Sequence, residues 1–69
     1  MTTTIAMQVT PFDHPDYRYS ASFQHPDGRA MVARFERPAD LNAWIGRHRR
    51  ALGDQGYAFD IHDETGEVR

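Results

Sequence analysis

The chain has 69 residues, and a chain of this length buries only about 60% of the surface that its unfolded form exposes, so it holds one core. It contains no cysteine, which excludes a disulfide framework and a thiolate metal site and favours the cytoplasm. The formal net charge of −2 argues against direct nucleic-acid binding, and no apolar run reaches the roughly 20 residues that a membrane span needs.

Residues 3–10 predict the first strand. Ile5, Met7 and Val9 alternate with polar or small residues, which is the period of a half-buried strand. The next segment, residues 11–16, contains two prolines and two aspartates. These residue types end a strand and form turns, so the chain is expected to reverse here.

Residues 17–24 and 29–36 alternate in the same way and predict a hairpin. The Pro-Asp-Gly sequence at 26–28 fits a type I turn followed by a bulge, in which the glycine takes the left-handed conformation. This turn pairs His25 with Arg29 and thereby sets the register. The expected inward pairs are Phe23 with Met31, Ala21 with Ala33, and Tyr19 with Phe35.

Residues 38–52 predict the one helix. Pro38 suits the first helical position, and apolar residues recur at the spacing of one helix face. The apolar residues are Leu41, Trp44, Ile45 and Leu52, and His48 falls at the same spacing. Gly53 is expected to end the helix in the left-handed conformation.

Residues 57–62 alternate again and predict a fourth strand, and residues 63–66 predict a turn. For residues 67–69 the pattern leaves open a short returning strand and a frayed tail. The inward strand residues all have odd numbers, so we predict one α+β domain over residues 1–69. Its order is βββαβ, with one layer of about four mostly antiparallel strands and the helix on one face. The fourth strand is expected to run parallel to the first, which is favoured over the third as its neighbour.

The tripeptide His-Pro-Asp occurs twice, at 14–16 and at 25–27. It is also the signature loop of J-domain co-chaperones, where it lies between two long helices. Strand patterns flank both copies in this chain, so we interpret both as turn formers.

The histidines do not predict a metal site or a catalytic site. They fall in two separate turns, on the helix and on the last strand, as His14, His25, His48 and His62. No pair has the spacing that places two ligands on one face. Asp60 and His62 share the outward sheet face, but a metal-assisted nuclease would need a further ligand. We therefore predict no enzyme, no cofactor and no metal.

The outward face of the sheet is the first candidate for a binding surface. Its residues are mostly small or polar and include Arg18, Ser20 and Arg34. It is expected to carry no aromatic ring, which disfavours an RNA-binding sheet, since such sheets stack bases on exposed rings. A protein contact or a sheet-to-sheet dimer fits this surface better.

Two charged clusters are further candidates. Three cations lie toward the end of the helix, namely Arg47, Arg49 and Arg50. They can bind phosphate groups or simply stabilise the negative end of the helix dipole. Four acids follow, namely Asp60, Asp63, Glu64 and Glu67. They can imitate a row of phosphates in a basic groove of a partner, or form a solvated turn.

A sheet with one helix, segregated charges and no catalytic constellation resembles the small phage-encoded inhibitors of bacterial defence, the anti-CRISPR proteins in particular. The resemblance covers size and architecture and no diagnostic motif, so no functional residue is carried over. It implies a protein that binds a CRISPR effector complex in the bacterial cytoplasm and blocks target-DNA binding or nuclease recruitment. The alternative is a small accessory module or homodimer in which a sheet edge or the outward face pairs with itself. Neither hypothesis involves a membrane, and residues 1–7 lack the pattern of a signal peptide.

Overall fold

The computed structural model describes residues 3–69 and contains one four-stranded sheet and one helix. The elements in chain order are β1 (Thr3–Pro11), β2 (Tyr19–Gln24), β3 (Ala30–Phe35), α1 (Pro38–Gly53) and β4 (Tyr57–Asp63). This order confirms the α+β class and the arrangement βββαβ, with element limits at most two residues from those predicted. Met1 and Thr2, which belong to the segment predicted to lack a signal peptide, lie outside the described residues.

The strands lie in the order β3-β2-β1-β4. The pairs β1–β2 and β2–β3 are antiparallel, and β1–β4 is parallel, so the sheet is mostly antiparallel and β4 has the neighbour that the sequence favours. The parallel pair arises because α1 returns the chain along the sheet before β4 begins. Strands β3 and β4 therefore form the two edges.

The β2–β3 hairpin has the register predicted from its turn. The backbone N–H of His25 donates to the carbonyl of Arg29 at 2.8 Å, and Gly28 donates to the carbonyl of His25 at 2.9 Å. Gly28 has a φ of +97°, a conformation that glycine adopts without steric cost. The pairs Phe23 with Met31, Ala21 with Ala33, and Tyr19 with Phe35 are confirmed.

The core lies between α1 and one face of the sheet. Its buried residues are Ile5, Met7, Val9, Ala21, Phe23, Leu41, Ile45 and Leu52. Every buried strand residue has an odd number, because side chains of a strand alternate between its two faces. In residues 3–69 no helix is long and apolar enough to cross a membrane.

The prediction that Gly53 is left-handed is wrong. Gly53 is the last helical residue, and Asp54 after it has a φ of −64°. The left-handed residue is Gly56, with a φ of +91°. Its N–H donates to the carbonyl of Gly53 at 3.0 Å, so the chain makes one more turn before it enters β4.

The last residues, 64–69, neither form a strand nor fray, because the side chain of Asn42 holds them. Asn42 Nδ2 donates to the carbonyl of Glu67 at 2.8 Å, and Asn42 Oδ1 accepts the N–H of Arg69 at 2.8 Å. This side-chain amide takes the place that the peptide group of a neighbouring strand would occupy. Val68, between the two bonded residues, packs against the core.

We expect Asn42→Ala to release the C-terminal tail while the sheet stays folded. Each intramolecular hydrogen bond contributes about 0.5–1.5 kcal/mol net, so the free energy of unfolding should fall by about 1–2 kcal/mol. Hydrogen exchange should show faster exchange at the amides of Val68 and Arg69 and unchanged exchange in β1. Asn42→Asp is the matched control, since it keeps the acceptor for Arg69 and loses the donor to Glu67. Unchanged protection of Arg69 in Asn42→Ala would contradict the role of this amide.

Candidate functional site

The sheet face opposite α1, called here the outer face, is not covered by any helix or strand of residues 3–69. It is formed by the even-numbered strand residues: Thr4, Ala6, Gln8, Thr10, Ser20, Ser22, Gln24, Ala30, Val32, Arg34, Ala58, Asp60 and His62. Most of these side chains are short or uncharged, and Val32 is the large apolar one, with 55% of its surface exposed. The result is a surface of mostly short side chains with a shallow depression over β1, β2 and β3.

Strand pairing places one residue of each strand in a row across the middle of the outer face. Val32 lies beside Ser22, Ser22 beside Gln8, and Gln8 beside His62. In the described part of the chain, the hydroxyls of Ser20 and Ser22 form no hydrogen bond to a histidine or a carboxylate. Neither serine therefore has the adjacent base that activates a nucleophile. The geometry suits a contact surface.

One corner of the outer face differs from the expectation that this face carries no aromatic ring. The guanidinium of Arg34 lies 4.5 Å from the centre of the Phe12 ring. Phe12 follows β1, and its N–H donates to the carbonyl of Arg18 at 2.9 Å, so the alternation of β1 continues past Pro11. Phe12 has an even number, like the other residues of the outer face, and this is the signal in the sequence that places it there. The turn residues around it at 11–16 mask that signal.

Two further rings extend this corner. His14 stacks on Phe12 with centroids 5.6 Å apart, and the ring of Tyr17 lies 5.3 Å from that of His14. Tyr17 has 41% of its surface exposed. We call Phe12, His14, Tyr17 and Arg34 the aromatic corner. Tyrosine and arginine are among the residue types that dominate binding energy at protein interfaces.

Of the three residues predicted for the outward face, Ser20 and Arg34 lie in the sheet and Arg18 lies just before it. Ser20 pairs with Arg34 across β2 and β3, so these two lie together beside the aromatic corner. Arg18 precedes β2 instead of lying in it, because β2 begins at Tyr19. Its N–H donates to the carbonyl of Phe35 at 2.9 Å, which anchors the end of the β1–β2 connection.

Both His-Pro-Asp copies form turns, as interpreted. Nδ1 of His14 accepts the N–H of Asp16 at 3.1 Å, and Nδ1 of His25 accepts the N–H of Asp27 at 3.2 Å. The same side-chain bond thus closes both turns. It explains why one tripeptide recurs between strands without any repeat of function.

Asp63, one of the four candidate acids, uses its carboxylate to hold the turn that follows β4. Its carboxylate accepts the Thr65 N–H at 2.8 Å, the Thr65 hydroxyl at 2.6 Å and the Val68 N–H at 3.1 Å. Partial burial of Asp63 opposes its ionisation. The hydrogen bonds from Thr65, Val68 and the Gly66 N–H outweigh burial and hold the pKa of Asp63 below its ordinary value.

The other three acids do not join Asp63 in a row. Asp60 lies on the outer face, where its Oδ2 is 3.2 Å from Nε2 of His62. Glu64 is exposed after the end of β4, and Glu67 is half-buried in the tail held by Asn42. The structure therefore removes Asp63 from the predicted row of acids, while Asp60 and Glu64 stay exposed.

The three arginines of α1 are exposed, and none of them forms an ion pair with an acid of residues 3–69. At about 100° per residue, Arg47 and Arg50 lie about 60° apart, and Arg49 lies about 100° from Arg50 toward the side of Asn42. Arg50 is in the last helical turn, where a cation stabilises the helix dipole. Arg47 and Arg50 thus lie on the same side of α1, while Arg49 lies on another side of the helix.

No group of three histidine, aspartate or glutamate residues within 3–69 is placed to hold a metal ion. His48 packs edge-on against Trp44 at 4.5 Å and against Phe23 at 5.2 Å between ring centres. Burial lowers the pKa of His48, and the charges of Arg47 and His25 lower it further. His48 is therefore part of the aromatic packing at the edge of the core.

Comparison with protein-family models, curated proteins and solved structures finds no match for this chain. The resemblance to anti-CRISPR proteins therefore stays a prediction. A functional proposal has to rest on the fold and on the surfaces described above.

We expect the protein to lose stability as the pH falls below about 6.5, because the ring of His48 packs against Trp44 and Phe23 in its neutral form. Its pKa is lowered in the folded state, so its contribution is complete above the unfolded value of about 6.5 and is lost below it. His48→Phe keeps a ring in the cluster and removes this titration. Urea unfolding at several pH values should show a flatter profile for His48→Phe than for the wild type. The exposed His62→Gln serves as the control, and equal profiles for His48→Phe and the wild type would refute the assignment.

We expect Asp63→Asn to lower the free energy of unfolding by about 1–2 kcal/mol, since the amide accepts fewer hydrogen bonds than the carboxylate. Because the pKa of Asp63 is lowered by folding, its contribution is present above the ordinary value of 3.8 and is lost as the pH falls below it. Asp60→Asn on the outer face is the matched control and should change stability by less than about 0.5 kcal/mol. Denaturant unfolding at neutral pH measures both, and equal losses would show that the turn does not depend on Asp63.

Proposed function

We propose that this chain is a non-enzymatic protein-binding module that contacts its partner through the outer face. The observation that carries the proposal is the uncovered outer face, which carries mostly short side chains and ends in the aromatic corner. Short side chains allow a partner surface to approach the sheet closely over a wide area. Tyr17 and Arg34 provide the residue types that anchor such contacts.

Two properties favour a protein over a nucleic acid as the partner. Apart from the imidazole of His62, the even-numbered strand positions of residues 3–69 carry no ring, and the other rings of this face lie at one corner, so the strands offer no row of rings for base stacking. The net charge is −2, and the aromatic corner has two acidic residues close to His14 in the sequence, Asp13 and Asp16. A nucleic-acid surface would need an excess of cations instead.

The specific partner that we propose is a subunit of a bacterial CRISPR effector complex, bound in the cytoplasm of the host cell. The resemblance of this chain to anti-CRISPR proteins in size and architecture supports this choice. A domain of this kind acts by occupying a surface that target DNA or the nuclease would otherwise use. Because the carboxylate of Asp63 is engaged in its own turn, the outer face is a better candidate for the contact than an acidic row.

The test is binding to a panel of purified CRISPR effector complexes, with two matched variants. Ala6→Arg adds an arginine to the outer face, and Ala43→Arg adds one to the exposed side of α1. We expect Ala6→Arg to weaken binding at least about tenfold, or ~1.4 kcal/mol, and Ala43→Arg to bind like the wild type. Binding to no effector complex would reject the proposed partner. Equal binding by both variants would reject the outer face as the contact.

A further inference from the structure

The two edges of the sheet differ in their protection against pairing with another strand. Natural edge strands carry charges, prolines or bulges, or are covered by other elements. Edge strand β4 carries Asp60 in its middle and ends at Asp63, where the C-terminal turn begins. Edge strand β3 is Ala-Met-Val-Ala-Arg-Phe, with Arg34 as its one charge, no proline and regular pairing along its length. Strand β3 is thus the unprotected edge.

The hairpin bond between His25 and Arg29 shows which backbone groups of β3 are unpaired. Hydrogen-bonded pairs alternate along an antiparallel ladder, so the odd-numbered residues of β3 bond to β2. The N–H and carbonyl groups of Ala30, Val32 and Arg34 therefore point away from β2. No loop or turn hydrogen bond of residues 3–69 uses these groups.

We propose that β3 pairs with β3 of a second copy of this chain, antiparallel and about a two-fold axis at Val32. In this register Val32 faces Val32 of the second copy, and Ala30 faces Arg34 of the second copy. The three outward-pointing residues of each copy then exchange about six backbone hydrogen bonds. The product is a continuous eight-stranded sheet with isologous symmetry.

The charges at this edge favour a second copy as the occupant. Arg34 faces an alanine in the proposed register, so no like charges oppose each other within the paired strands. Continued beyond the strand ends, this register brings Asp27 of the hairpin turn opposite Arg37 of the second copy, and these two charges have opposite signs.

Strand β4 does not offer the same self-complementarity. An antiparallel pairing about its middle residue would place Asp60 against Asp60 of the second copy, which is destabilising.

The β3 contact is short and buries less than the roughly 800 Å² per partner of a standard interface, so we expect a reversible dimer. The dimer joins two outer faces into one surface, and it does not depend on the partner proposed above.

Sedimentation velocity between about 10 μM and about 1 mM tests the dimer, since this range covers weak association. The wild type should approach twice the monomer mass at the upper end. Val32→Pro removes an N–H that points to the open edge and leaves the β2 bonds in place, so it should stay monomeric. Val32→Thr keeps this N–H and the side-chain shape and should dimerise. A monomeric wild type at about 1 mM, or a Val32→Pro that dimerises like the wild type, would overturn the proposal.

Charge variants test the register without relying on proline. Val32→Lys and Val32→Glu each place like charges opposite themselves and should each weaken the dimer at least about tenfold. An equimolar mixture of the two should form a heterodimer, because position 32 faces itself across the axis. Failure of the mixture to associate would overturn the proposed axis. Ala6→Arg lies on β1 and should dimerise normally, so a loss of effector binding and a loss of the dimer can be told apart.

Discussion

One amphipathic helix can cover only one face of a four-stranded sheet, and the rest of this structure follows from that constraint. The covered face takes the odd-numbered strand residues into the core, with Met7 and Val9 fully buried on the central β1. The even-numbered residues are left on an uncovered surface, where they have to be compatible with water. Most of them are short or polar, and this is the same property on which the proposed protein contact depends.

A core of this size leaves polar side chains with structural tasks. His14 and His25 close two turns through the same Nδ1 bond, Asp63 closes the C-terminal turn, and Asn42 holds the tail. The use of Asp63 in this way also removes it from the cluster of acids that the sequence indicates. Charged residues that are adjacent in the chain need not form one surface, since a turn can direct them to different neighbours.

Three exposed features have no structural task within residues 3–69: the aromatic corner, the β3 edge, and the two arginines Arg47 and Arg50 on one side of α1. The first two lie on the same side of the sheet, because Arg34 belongs both to the corner and to β3. Pairing of two β3 edges would therefore bring two outer faces into one continuous surface. A dimer of this kind would present the same contact residues twice, which fits binding to a partner with repeated or symmetric subunits.

The sequence by itself determined the α+β class, the order βββαβ, the β2–β3 register and the burial of odd-numbered strand residues. It could do so because strand alternation and the Pro-Asp-Gly turn at 26–28 are short-range signals that involve neighbouring residues. Only the tertiary structure decided that Gly56 and not Gly53 is left-handed, that Phe12 meets Arg34 and that Asn42 binds the backbone of Glu67. The last of these contacts joins residues 25 positions apart, and no local pattern encodes such a distance. The candidate surfaces depended on these long-range contacts, because the packing of the whole chain decides which side chains stay available to a partner.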